Sequence, residues 1–332
     1  MRRPAVVVFG DINVDVLAPV DTFAGLGGDY WAPALELHCG GVGANTALAL
    51  AGWRVPVHLL GAIGPDPLGR FLLDHLRSRR VGTTLIQQTR EALTGLMFTV
   101  VSRGGERTFF GSRGANATVR PARSLATAWQ EVKAVHLVGY CFLSRSSARA
   151  ARELLAEARR YGASISFDVG MGPARTIPRT ILQVASQADI LFVSRAEARL
   201  LTGKKDPRRA LDALENLGAR QVVVTLGKRG CLFRDNASLV TAPGLATRVA
   251  DTTGCGDAFV AAFLYARLRG WPVAEAMLLA NAAGAAAAGV LGAGEQLPGP
   301  HEVLRLLTRQ RLTPKWEPVR RQLVQRLTKQ WR

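Results

Sequence analysis

The densest chemistry in the sequence is the run Asp251-Thr252-Thr253-Gly254-Cys255-Gly256-Asp257-Ala258-Phe259. Glycines at 254 and 256 leave backbone N–H groups bare and let a phosphate come close. The residues that follow read as a helix, so the run opens a helix N-terminus, where aligned peptide dipoles favour negative charge. Together these features make an anion hole suited to charge developing on a phosphoryl group in transfer. Asp257 lies beside it, and a carboxylate there can take the proton of an attacking hydroxyl. A Gly-Asp pair alone is as readily a turn with a helix-capping aspartate. The whole run points instead to phosphoryl transfer onto an alcohol.

Such a run needs a scaffold. Short apolar stretches at Ala5–Phe9, Val57–Gly61, Ala134–Val138, Ser164–Phe167, Asp189–Val193 and Gln221–Thr225 read as buried strands. Ser147–Tyr161, Pro207–Leu217 and Ala258–Arg269 carry helical spacing, and Ala282–Ala288 reads as a closely packed helix. Strands alternating with helices predict an α/β fold with a mostly parallel sheet covered on both faces. Ligands in that class sit beyond the carboxyl ends of the strands. Residues 12–38 and 93–112 break the alternation with β-like runs such as Leu96–Val101 and Thr108–Phe110, punctuated by Gly104-Gly105 and Gly111. They read as a small antiparallel subdomain, usable as a flap over the site or as a dimer surface.

The 251–259 run resembles the C-terminal signature of the ribokinase-like (PfkB) carbohydrate kinases. Gly40-Gly41-Val42-Gly43-Ala44-Asn45 resembles their N-terminal signature. As in the family, a helix (Thr46–Gly52) and then Gly61-Ala62-Ile63-Gly64-Pro65-Asp66-Pro67-Leu68-Gly69 follow it. The first strand ends in Gly10-Asp11-Ile12-Asn13-Val14-Asp15, also in the family manner. The resemblance covers residues 5 to about 300 in family order.

The resemblance implies a ribokinase-like three-layer fold with a small β lid, a kinase domain over 1–310, and ATP-dependent phosphorylation of a sugar hydroxyl. Asp257 is then the general base, and Gly254, Cys255 and Gly256 supply the anion-hole amides. Asn13, Asp15, Gly41 and Asn45 hydrogen-bond the acceptor's hydroxyls. A site of carboxylate and amide groups rejects molecules lacking matching hydroxyls, which suits that role. Thr225, Gly227 and Gly230 resemble the loop for the ATP phosphates and ribose, and Asn281 a position beside the adenine. Asp251 and the Thr253 carbonyl resemble a monovalent-cation site, which adds K⁺ to the implied Mg²⁺.

Two places depart from the family pattern. Ser194-Arg195-Ala196-Glu197 keeps the glutamate of an Asn-x-x-Glu motif associated with Mg²⁺ and phosphate, but has serine for asparagine. Gly170 stands where some sugar-acid kinases carry asparagine, in the stretch Asp168–Arg175. A nucleoside kinase on the same scaffold and a non-catalytic sugar or nucleotide sensor are the alternatives; the intact Asp257 argues against the sensor.

Composition removes other classes. The net charge of +18 is mostly arginine spread along the chain and reads as a solvated surface. No zinc-finger or RNP sequence occurs, so no specific nucleic-acid partner is expected. There is no GxxxxGK[ST] loop, and no GxGxxG follows the first strand. The five histidines are isolated, and His136 reads as a core residue. No apolar run is long enough to span a bilayer, and the opening MRRPAVVVF reads as a strand. Four cysteines with no CxxC pair suit a reducing cytoplasm. Residues 311–332 read as a basic helical extension. Val319, Leu323 and Leu327 share one face near Trp331, with Arg320, Arg321, Arg326, Lys329 and Arg332 as the basic remainder. That face packs on its own domain or on a partner subunit, with polyanion binding as the alternative.

Overall fold

The computed structural model describes residues 6–23, 25–103, 107–122, 129–235 and 238–331. Ala5, Gly104-Gly105 and Arg332 lie outside the described residues. The strands are β1 (Val6–Phe9), β2 (Asn13–Val20), β3 (Glu36–Gly40), β4 (Val57–Ile63), β5 (Ile86–Gln88), β6 (Gly95–Ser102) and β7 (Arg107–Ser112). They continue as β8 (Ala134–Val138), β9 (Ser164–Asp168), β10 (Ile190–Ser194), β11 (Gln221–Thr225), β12 (Cys231–Asp235) and β13 (Ser238–Ala242). The helices are α1 (Val42–Gly52), α2 (Pro67–Ser78), α3 (Arg145–Arg160), α4 (Met171–Thr176), α5 (Pro178–Ala185) and α6 (Arg195–Thr202). After them come α7 (Pro207–Asn216), α8 (Cys255–Leu268), α9 (Val273–Ala288), α10 (Pro300–Arg309) and α11 (Glu317–Gln330).

Among the described residues nine strands join one sheet in the order β13-β12-β11-β10-β9-β8-β1-β4-β5. Pairing is parallel from β5 through β11, and antiparallel where β12 and β13 extend the edge. The apolar strand runs follow from burial on both faces. In β1, Val6 and Val8 join the core under α1, α8 and α9, while Val7 and Phe9 join the core under α3, α5 and α7. His136 in β8 is fully buried and hydrogen-bonds the Ser166 hydroxyl at 2.9 Å.

The lid is a separate four-stranded sheet, β3-β2-β6-β7. The expected all-antiparallel arrangement is corrected: β2 and β6 pair in parallel, from Asn13↔Gly95 to Val20↔Ser102. These two strands are not hairpin neighbours. With β3, α1, β4, α2 and β5 between them in the chain, they are joined by a long crossover, as parallel pairing requires. The period of two then gives the lid one inner face. Along it lie the rows His38, Asp15, Met97, Gly111 and Glu36, Leu17, Thr99, Phe109.

Four helices begin earlier than the sequence pattern indicates, α1 at Val42 rather than Thr46 and α9 at Val273 rather than Ala282 among them. The helix predicted from Ser147 begins at Arg145, because the Ser144 hydroxyl caps it by accepting from Ser147 N–H. The helix predicted from Ala258 begins at Cys255, with Gly254 as its N-cap in the left-handed region at φ 74°. Asp257 therefore stands in the first turn of α8. The chain end folds as α11, whose Leu323 and Leu327 are fully buried in the α8–α9 core. Among the described residues no helix is long and apolar enough to cross a membrane.

Candidate active site

The 251–257 turn is the common wall of two cavities. One, of about 620 Å³, lies under the lid and is lined by Asp251, Thr253, Gly254 and Asp257 of the turn. Asn13, Asp15, Gly41 and Asn45 line it as well. The other, of about 820 Å³, is lined by Thr252, Cys255 and Gly256 of the same turn, with Thr225, Gly227, Gly230 and Asn281. The residues singled out in the sequence thus separate into two groups that meet at one helix N-terminus.

Asp257 is buried, and Asn45 Nδ2 donates to its Oδ2 at 2.8 Å. Asn45 Oδ1 in turn accepts from Gly294 N–H at 3.1 Å, so the amide is held at both ends. Asn45 therefore orients the carboxylate as well as facing the cavity. Burial is the main reason the Asp257 pKa rises to about 7; the Asn45 amide pulls it down and nearby Asp15 adds to the rise. Asp15 is likewise pushed up to about 7, first by burial, against the opposing pull of His38. Such values sit where a carboxylate can both hold and release a proton near neutrality.

Glycine is required where the signature meets the lid. A Cβ on Gly40 would stand 2.1 Å from Asp15 Oδ2, and one on Gly41, at φ 90°, 2.4 Å from the Asp11 carbonyl oxygen. In the turn itself, Asp251 Oδ1 accepts from Thr253 N–H at 2.6 Å and Oδ2 from Gly292 N–H at 2.9 Å. Among the described residues the N–H groups of Gly254 and Gly256 donate to no carbonyl, whereas Cys255 N–H reaches the Thr252 carbonyl at 3.4 Å. Bare N–H groups at a helix start attract an anion.

Ser194 and Glu197 form a capping box at the start of α6. Ser194 Oγ accepts from Glu197 N–H at 3.2 Å, and Glu197 Oε2 accepts from Ser194 N–H at 2.7 Å. The Ser-x-x-Glu spacing carries that signal, which the family comparison with Asn-x-x-Glu obscures. Burial raises the Glu197 pKa, against the Ser194 N–H that lowers it. Asp168, at the end of β9, is held well above the usual carboxylate range by burial, then by Glu197 and Asp257. Asp168 is thus set against two neighbouring carboxylates, and a cation bound beside it would relieve that repulsion. Among the described residues no three ligand-type side chains close on one point.

Several site residues escape a reading of the sequence. Arg113 lines the lid cavity and grips Asp11 through Nε at 2.9 Å and Nη2 at 2.7 Å. Asn116 is buried and donates from Nδ2 to Asn13 Oδ1 at 2.9 Å, fixing that side chain. In the second cavity Asn281 Nδ2 donates to the Pro243 carbonyl at 2.9 Å, which ties α9 to the loop over residues 244–249. The alanine-rich stretch of α9 is more than packing: Gly284, Ala285 and Ala288 form one wall of that cavity.

The pfkB family carbohydrate kinase profile matches residues 3–300. Fructokinase-1 of Oryza sativa subsp. japonica is 32% identical over 329 residues, covering 92% of this chain and 98% of that protein. The 2-dehydro-3-deoxygluconokinase of Thermoproteus tenax is 31% identical over 285 residues, with 82% and 86% covered. The structure of Arabidopsis thaliana ribokinase complexed with ribose and ATP superposes with a TM-score of 0.80 at 26% identity, over 93% of this chain and 100% of that one.

Proposed function

The chain belongs to the pfkB family of carbohydrate kinases, and from that membership we propose that it transfers the γ-phosphoryl group of ATP to a hydroxyl of a sugar, with Asp257 as general base. The observation that carries this reading is the 251–257 turn standing between two cavities. The acceptor occupies the lid cavity, its hydroxyls meeting Asn13, Asp15, Asn45 and the backbone at Gly41. ATP occupies the other, with its phosphates toward the start of α8 and its nucleoside between the 227–230 loop and Asn281.

An acceptor hydroxyl held beside Asp257 gives its proton to that carboxylate, which Asn45 keeps in position. The amides at 254–256 stabilise the charge that develops on the transferring group. Most of the rate enhancement in such chemistry comes from positioning and electrostatics. Closure of the lid excludes water and so protects ATP from hydrolysis. Mg²⁺, when bound, offsets phosphate charge, and Asp168 and Glu197 are the groups that would hold it through water. Asp251 and the Thr253 carbonyl are the groups that would hold K⁺.

A second reading, a nucleoside kinase, draws on the outer half of the lid's inner face. There Leu17, Pro19, Val101 and Phe109 offer an apolar surface for a flat base. The opposite face carries the row Leu37, Val16, Phe98, Phe110, with Leu37 47% and Phe110 62% exposed. A second copy of the lid is the cover this reading assigns to it. A mass near twice that of the chain in solution supports the pairing, and a monomer at micromolar concentration removes it.

Acceptor-dependent ADP release with Mg-ATP, run over pentoses, hexoses, ketohexoses and nucleosides, tests the function. Asn45→Ala is expected to lower kcat by roughly 10- to 100-fold and to move the acidic limb of kcat/KM to higher pH, because the ionised carboxylate loses a donor. A limb that stays in place would mean that Asn45 does not hold the base.

A further inference from the structure

The turn Gly294–Gln296 is where the lid, the body and the amide that holds Asp257 meet. A Cβ on Gly294 would stand 1.9 Å from the Cys39 carbonyl oxygen, so β3 of the lid runs directly against this turn. The Gly294 N–H donates to Asn45 Oδ1 at 3.1 Å, and Asn45 in turn holds Asp257. The next residue, Glu295, reaches in two directions. Its Oε1 lies 3.2 Å from His38 Nδ1 on β3, and its Oε2 lies 3.4 Å from His75 Nε2 on α2. The His38, Glu295 and His75 side chains are 14, 16 and 18% exposed, so most of the water is kept from these contacts. His38 Nε2 lies 3.1 Å from Glu36 Oε2, so both ring nitrogens are held.

His38 pairs directly across the lid sheet with Asp15, and both line the lid cavity. Burial is the main cause of the raised Asp15 pKa, and His38 and Glu295 are the charges that act on it next. Glu295 itself lines neither cavity. Resting on the sugar-kinase reading above, we propose that Glu295 is a positioning residue for the acceptor. Its carboxylate ties the lid strand carrying His38 to α2 of the body, and so seats Asp15 over the cavity. The amide just before it fixes Asn45, and through Asn45 the carboxylate of Asp257. Residues 294 and 295 together thus set the gap between the two carboxylates that face the acceptor. Transfer depends on held geometry, so a small displacement there is costly. The nucleotide cavity takes none of its described lining from β3, α2 or this turn, so ATP binding stands apart.

The test is steady-state ADP release by the full chain, with Mg-ATP and the best acceptor of the series above varied in turn. Glu295→Ala is expected to lower acceptor kcat/KM by about 10-fold or more while the ATP KM stays within about 2-fold. Glu295→Gln keeps a side-chain oxygen for His38 Nδ1 and offers an N–H to His75 Nε2. It is expected to stay within about 3-fold of the wild type. In a His38→Ala background, Glu295→Ala is expected to cost no more than about a further 3-fold, because the contact it breaks is already gone. An acceptor kcat/KM that Glu295→Ala leaves untouched overturns the inference and leaves the kinase intact. So does a glutamine variant as impaired as the alanine one, an ATP KM that worsens as much as the acceptor's, or losses that multiply in the double variant. No ADP release by the wild type with any acceptor overturns the sugar-kinase reading, and the inference falls with it. If circular dichroism shows Glu295→Ala unfolded, His38→Ala decides. It breaks the same contact from the lid side, and full acceptor turnover in that variant overturns the inference.

Discussion

Asp257→Asn is expected to lower kcat by about 10²- to 10⁴-fold, the range for a lost general base, and at the same time to raise the melting temperature at pH 8. The two effects share a cause. Burial, with Asp15 nearby, lifts the Asp257 pKa to about 7 in the folded protein, against about 3.9 for an unperturbed aspartate. The folded state therefore prefers the protonated form. Its stability is full below about pH 4 and is lost as pH rises through about 7. Asparagine carries no charge to bury, so the variant escapes that loss, which is about 2–4 kcal/mol at pH 8. In the wild type kcat/KM should rise with pH through about 7, as an apparent value of the Asp15–Asp257 pair. Melting curves of both proteins at about pH 4.5 and pH 8 check the stability half. A gap that fails to widen with pH would show that Asp257 carries no such burden, and a variant with undiminished kcat would remove it from catalysis.

Truncation after Gln310 is expected to leave a chain that does not fold. The lost segment contains Leu323 and Leu327, fully buried, and Trp316 and Trp331, nearly so. Burial of four such side chains is worth about 10 kcal/mol, as much as a domain's whole stability. The loss also leaves Glu275 buried without the Arg326 guanidinium, now 2.9 Å away. Trp331 packs edge-on against Trp53 at the end of α1, and its Nε1 donates to the Tyr265 hydroxyl of α8 at 3.3 Å. Those two helices carry Asn45 and Asp257, so the basic tail braces the residues proposed for the chemistry. Circular dichroism and gel filtration of the truncated chain decide the matter; a soluble, cooperative protein of unchanged melting temperature would make the tail a detachable arm.

What the sequence makes legible is local. The turn at 251–257 is readable because its glycines, its aspartate and the helix they open are contiguous. The central strands are readable because burial on both faces gives unbroken apolar runs, as in Val6–Phe9. The tail helix is readable from the spacing of Val319, Leu323 and Leu327. Contacts made at a distance are not. Asn45 meets Asp257 across 212 positions, and Arg113 meets Asp11 across 102. No periodicity connects them, and Arg113 reads as one more arginine in a chain rich in them. The parallel pairing of β2 with β6 is hidden likewise, because neither strand's pattern states its partner's direction. Ser194 is the opposite case, where the contiguous Ser-x-x-Glu spacing by itself signals the capping box.

The single turn between the two cavities also bears on how such an enzyme changes over generations. On the proposed reading the acceptor meets lid strands drawn from two stretches far apart in the chain, together with α1 and the 251–257 turn, while the nucleotide cavity is built from β11, the start of α8, α9 and the loops beside them. Substitutions at Leu17, Met97, Thr99 or Phe109 reshape what is accepted without touching the donor cavity. New preferences can therefore accumulate on the lid while the phosphorylating apparatus stays under constant selection, and a lineage can drift from one acceptor to another without passing through an inactive ancestor.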